Sequence, residues 1–92
     1  MRELSKKDFQ HAIVGHDRKR IMRGEIRPGD VRKIRMFLWM TQLQFAKAMG
    51  ISVHTLRNWE QGRRHPEGSA IALLRIAARH PNIMREQLKR AA

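Results

Sequence analysis

The stretch from Thr41 to Gly62, reading TQLQFAKAMGISVHTLRNWEQG, limits what this chain can fold into more than any other part of it. Phe45, Ala46 and Met49 share one face at helical spacing, Gly50 follows the last of them, and Leu56 and Trp59 repeat the inward spacing in a second short run. A glycine just past the last periodic residue is where helices commonly end in the left-handed conformation that a Cβ disfavours. Ile51 then plugs the corner. The segment predicts two short helices joined by a glycine turn, a helix-turn-helix. With Leu56 and Trp59 inside, the outer face of the second helix is left to Val53, His54, Arg57, Asn58 and Gln61.

Charge says what such a face would meet. Twenty Lys and Arg against eight Asp and Glu give the 92-residue chain a formal charge of +12. That surplus favours approach to a polyanion, whose condensed counterions are released when phosphates are neutralised. Nucleic acid is the first candidate and an anionic membrane the second. The longest apolar runs, Met36 to Met40 and Ala70 to Leu74, are five residues each, too short to span a bilayer, and the N-terminus has no apolar core of a secretion signal. No cysteine is present, which excludes disulfides and thiolate chemistry and fits a reducing, cytoplasmic setting. The histidines at 11, 16, 54, 65 and 80 form no HExxH arrangement. No phosphate-cradling glycine loop and no nucleophile-base pattern stands out, so neither metal, cofactor nor enzyme activity is expected.

Along the chain the spacing predicts an all-α fold in two parts. Residues 1–29 form a basic extension, with a helix after Ser5 that places Phe9, Ala12, Ile13 and His16 on one face. It carries the run Arg18, Lys19, Arg20, Arg23 and Arg27, and Pro28–Gly29 break it. Residues 30–92 form the domain proper. Asp30 is read as N-cap of a helix over 31–39, in which Val31, Ile34 and Leu38 recur, and Thr41 caps the next. Helices follow over 42–49 and 53–61, then one opening at Glu67 or Ser69 with Ile71, Leu74 and Ala78 inward and ending before Pro81, and a short one over 82–89. Ile83, Met84 and Leu88 on that last helix serve either as a two-fold contact or to close the domain's own core.

The words TQLQFAKAMGIS, TLRNWEQGRRHPEG and ALLRIAARHP carry a resemblance. From Asp30 to about Leu88 the chain resembles the phage-repressor-like (XRE) helix-turn-helix domains and, within them, the HigA-type, NadS-like antitoxins of type II toxin-antitoxin systems. The resemblance implies a five-helix lambda-repressor-like domain. It further implies a homodimer that binds an operator palindrome in double-stranded DNA, represses its own operon, and holds a RelE-like (HigB-like) toxin inactive, the toxin binding through residues 1–29. A stand-alone phage-type regulator and a basic RNA-associated protein are the alternatives. Dimerisation has its own logic: one helix gives a few base contacts, each discriminating by roughly 1–3 kcal/mol, and two helices about 34 Å apart double the information.

The resemblance also implies roles. Gln42 grips a backbone phosphate. Ser52 caps the recognition helix and touches phosphate, and Thr55 contacts phosphate or base. Val53, His54 and Asn58 read bases: valine can cover a thymine methyl, histidine can meet a purine, and asparagine can pair with adenine. Arg57 binds phosphate or guanine. Arg63, Arg64 and His65 clamp the backbone ahead of Pro66. For each the alternative is an ordinary solvated side chain. Glu60, a carboxylate in a DNA-facing helix, is expected to pair with Arg35. Trp39 stands where relatives often place glycine, and since tryptophan resists positive φ the first helix is expected to end differently. Leu43 replaces a usually polar residue, and with Met36, Phe37 and Trp39 it predicts an exposed apolar patch.

Overall fold

The computed structural model describes residues 13–91. Among them are six helices and no strand: α1 (Gly15–Met22), α2 (Pro28–Phe37), α3 (Gln42–Met49), α4 (Val53–Glu60), α5 (Ser69–Arg79) and α6 (Pro81–Ala91). The expected helix start after Ser5, with Phe9 and Ala12, lies outside the described residues. Ile13 and Gly15, expected inside that helix, stand before it and at its first position.

Two prolines begin helices where the sequence reading used them to break or stop one. α2 starts at Pro28, and Asp30, expected as its N-cap, sits two residues further in. Its carboxylate accepts from the backbone N–H of Arg27 at 2.8 Å. Pro81 likewise opens α6 directly after α5. The physical reason is common to both: a proline's fixed φ suits the first helical turn, whose N–H groups have no intrahelical acceptor. α6 consequently runs from 81 to 91 rather than 82 to 89.

α2 stops at Phe37, two residues early, because Trp39 does take the left-handed conformation, with φ at +58°. Its N–H reaches Met36 O at 3.0 Å, and Met40 N–H reaches Arg35 O at 3.3 Å, so the helix end closes as it would over a glycine. Expecting tryptophan to avoid that conformation was wrong. The penalty for a single left-handed residue, about 1–2 kcal/mol, is small enough for these contacts to carry.

One core joins all six helices. Ile21 from α1, Val31 and Ile34 from α2, Phe45 from α3, Leu56 from α4, Leu74 from α5 and Met84 from α6 are buried together. α6 packs most extensively against α3. Met84 and the half-buried Leu88 thereby close the domain's own core, while Ile83 stays outside. α1 is held by more than Ile21. Arg20, read only as part of a basic run, is buried with its fork on Asp30, on Asp17 at 2.7 Å, and on the Glu25 carbonyl at 2.9 Å. Lys33 of α2 closes the cluster from the solvent side, 2.9 Å from Asp17.

Candidate nucleic-acid interface

α3 and α4 are built by caps at both ends. Thr41 Oγ1 accepts from Gln44 N–H at 3.1 Å while the Gln44 side chain accepts from Thr41 N–H at 3.0 Å. This reciprocal pair satisfies two N-terminal donors at once. α3 ends on Gly50 at φ +73°, and Ile51 N–H bonds to Ala46 O at 3.0 Å, turning the chain into α4. Ser52 then caps α4 by accepting from Thr55 N–H at 3.0 Å. Its hydroxyl also lies 3.0 Å from the Thr55 hydroxyl, so both expected phosphate contacts already share a hydrogen bond.

Leu56 and Trp59 are buried, as their spacing predicts. That fixes the rotation of α4 about its axis: at 100° per residue, His54 and Gln61 fall at the centre of the outward arc, Arg57 on its α3 side and Asn58 on the other. His54, Arg57 and Gln61 are exposed and Asn58 is half-buried. Val53 is half-buried and packs on the core, and Thr55 is half-buried as well. Beyond α4, Gly62 turns at φ +76°, and the backbone N–H groups of Arg63 and Arg64 both reach Asn58 O, at 3.0 and 3.3 Å. The three side chains Arg63, Arg64 and His65 are thereby presented together, all exposed, before the buried Pro66.

A hydrogen-bond chain runs from the core to this face. Arg35 of α2 grips Glu60 in a bidentate pair, Nε to Oε2 at 2.8 Å and Nη2 to Oε1 at 3.0 Å, and donates a third bond to Met40 O at 3.1 Å. The expected Arg35–Glu60 pair is therefore present, and largely shielded from solvent. Gln42 Nε2 donates to the same carboxylate at 3.3 Å, and Gln42 Oε1 accepts from Arg57 Nε at 3.2 Å. Sequence reasoning missed this bridge, because Gln42 and Arg57 sit on different helices and only the corner brings them together. The one available signal was Glu60, an acid on an otherwise cationic face.

Two apolar features flank the motif. Trp39 and Leu43 are half exposed, whereas Met36 and Phe37 are partly covered, Phe37 by the core, so the expected patch is narrower than four residues. Leu73, Ile76 and Ile83 border a shallow groove of about 470 Å³ between the end of α3, α5 and α6. Among the described residues no group of three or more side chains is arranged to hold a metal ion, and no helix is long and apolar enough to cross a membrane.

Comparison with known proteins fits this geometry. The family model described as the antitoxin component of bacterial toxin-antitoxin systems, MqsA, matches residues 2–88. Antitoxin HigA-2 of Vibrio cholerae serotype O1 is 41% identical over 59 residues, which are 64% of this chain and 57% of that protein. Antitoxin MqsA of Escherichia coli K12 is 31% identical over 61 residues, 66% of this chain and 47% of its own length. The chain thus spans about half the length of the curated relatives it matches. No solved structure matches it at the same stringency. From the family match over residues 2–88 and the two related antitoxins, the chain belongs to the MqsA and HigA type of bacterial antitoxins.

Proposed function

We propose that this chain is a sequence-specific DNA-binding repressor and the antitoxin of a toxin-antitoxin operon. In this reading helices α2–α6 are a lambda-repressor-like domain, residues 1–29 form the basic extension that engages the toxin, and the protein acts in the cytoplasm without catalysing a reaction. The observation that carries it is the rotation of α4: with Leu56 and Trp59 buried, His54, Arg57 and Asn58 look outward together from one slim helix. A duplex major groove admits such a helix and displays donors and acceptors that these side chains match. Val53 supplies an apolar edge. Gln42, Ser52, Thr55, Arg63, Arg64 and His65 ring the helix as phosphate contacts, which set register without reading sequence. The protein works as a homodimer on a palindrome, since one α4 reads too few bases to find one operator. A RelE-like toxin is its second partner.

Competition binding tests the DNA reading. A palindrome from upstream of the gene should outcompete random duplex and single-stranded RNA, with affinity falling steeply with salt, by about 0.9 log units per log unit for each phosphate neutralised. Equal binding to all three polyanions would leave a basic RNA-associated protein as the better description. The toxin reading is tested by removing residues 1–12 only, because a cut at 29 would also take out the buried Ile21 and Arg20. Toxin inhibition should fail while operator binding persists. Unchanged inhibition would move the toxin site elsewhere.

A further inference from the structure

We infer that Arg57 reads a guanine in each half-site, and that Gln42 acts as its positioning residue through a relay anchored on Glu60 and Arg35. The inference rests on the duplex-DNA reading above and assigns one base to one side chain. Its basis is the hydrogen-bond inventory of three groups. Glu60, ionised, can only accept; a guanidinium can only donate. An amide set between them has one orientation that satisfies both: Nε2 toward Glu60, Oε1 toward Arg57, as found at 3.3 and 3.2 Å. The flipped amide would put oxygen against carboxylate and NH2 against guanidinium. Glu60 is itself immobilised by the bidentate Arg35, so the relay starts from a rigid point.

The consequence falls on Arg57. A long exposed arginine ordinarily samples many rotamers, but here its Nε is tethered to Gln42 while, among the described residues, Nη1 and Nη2 have no acceptor. The planar end of the guanidinium is therefore left open as a two-donor fork on the outward arc of α4. Guanine offers O6 and N7 side by side in the major groove, the acceptor pair that this fork fits. A phosphate contact gains little from fixing the fork's orientation, whereas base readout depends on it, because a fixed side chain loses less freedom on binding and rejects a misplaced acceptor.

The test uses the full chain and a pool of duplexes with a randomised central segment, from which bound molecules are selected and sequenced. Wild type should return a palindromic motif with a guanine in each half. Arg57→Ala should return the same motif with that guanine column flattened, and its affinity for the wild-type motif should drop about tenfold or more. Gln42→Leu should flatten the same column although it touches no base. Replacing that guanine by 7-deazaguanine, which lacks N7, should weaken wild type and leave Arg57→Ala unchanged. A motif whose guanine columns all survive Arg57→Ala, or a uniform loss on every duplex, assigns Arg57 to phosphate and overturns the inference while leaving the repressor reading intact. Survival of the column in Gln42→Leu overturns the relay. If wild type selects no motif, both readings fall.

Discussion

Two arginines shielded from solvent grip carboxylates among the described residues, and they end in different places. Arg20 lies between Asp17 and Asp30, with the Glu25 carbonyl taking a further donor and Lys33 capping Asp17 from outside. Two cations meet two anions, and the cluster closes on itself. Arg35 instead meets one anion, Glu60, and the bonds continue through Gln42 to Arg57 on the surface. That chain holds two cations and one carboxylate, and of the two cations only Arg35 touches it directly, so a positive charge is left over at the outward face of α4. The first arrangement can only staple α1 to α2. The second joins α2, α3 and α4 and delivers a donor to whatever that face meets.

The largest test of this contrast is Arg20→Ala. It takes from the deeply buried Asp30 its ion-pair partner and leaves Asp17 with Lys33 alone, and removal of one partner from such a cluster costs about 3 kcal/mol. For a domain of this size that is a large share of total stability. Urea denaturation should show it as a lower midpoint with little change in slope. Operator selectivity, measured where the variant is still folded, should be unaltered. A loss of base preference at full folding would mean the staple also shapes the DNA face, and the two regions are not separable.

Glu60→Ala comes next. It frees Arg35, which is mostly shielded, and releases Gln42, for an expected cost of about 2 kcal/mol. Unlike Arg20→Ala it should also blur the base preference assigned to Arg57. Stability loss without any change in the selected motif would break the comparison, because Glu60 would then be a second staple.

Acid gives a gentler probe of the first region. The hydrogen bond from Lys33, then that from Arg20, holds the Asp17 carboxyl down to about 2. Burial pushes Asp30 up, but Arg20 and the Arg27 amide outweigh it and the net shift is downward. Both groups are thus more acidic folded than unfolded. Their contribution is fully present above the unfolded carboxyl value of about 4 and is lost as pH falls toward 2. Melting temperature should be level near neutrality and fall across that interval. A melting temperature that stays level down to pH 2.5 would show that the staple contributes nothing.

How far these regions could be read from sequence follows from how local each signal is. The helix-turn-helix was legible because Phe45, Ala46, Met49, Leu56 and Trp59 announce burial by spacing alone. The Arg35–Glu60 pair was legible only through the resemblance, which supplied a partner 25 residues away. Arg20 was not legible: a run of Arg18, Lys19 and Arg20 reads only as basic, and what buries the third is a carboxylate ten residues on, across a loop. The stop before Pro81 holds, but the helix starts at Pro28 and Pro81 were placed too late for one reason, since proline permits a first turn as readily as it prevents a last one. Met84 and Leu88 showed an apolar face without showing what covers it; α3 does.

The smallest expected effects sharpen the comparison most. Lys33 and Arg57 are the solvent-facing members of the two systems, both exposed cations hydrogen-bonded to a neighbouring helix. Exposed pairs of this kind contribute about 0–1 kcal/mol, so Lys33→Ala and Arg57→Ala should each lower the denaturation midpoint only slightly. Their other consequences should diverge. Lys33→Ala removes the foremost cause of the lowered Asp17 value, so that value should rise toward the ordinary range and the acid-sensitive part of stability should shrink. The DNA motif should not change beyond a small uniform loss of affinity from one fewer positive charge. Arg57→Ala should leave the acid profile untouched and change the motif at one base per half-site. Two substitutions alike in type, exposure and stability cost would then separate by readout alone, because one cation terminates a closed cluster and the other terminates a chain that opens onto the outward side of α4. Identical profiles for the pair, in acid and on selected DNA alike, would mean that the termini of the two systems are equivalent and that closure carries no functional information.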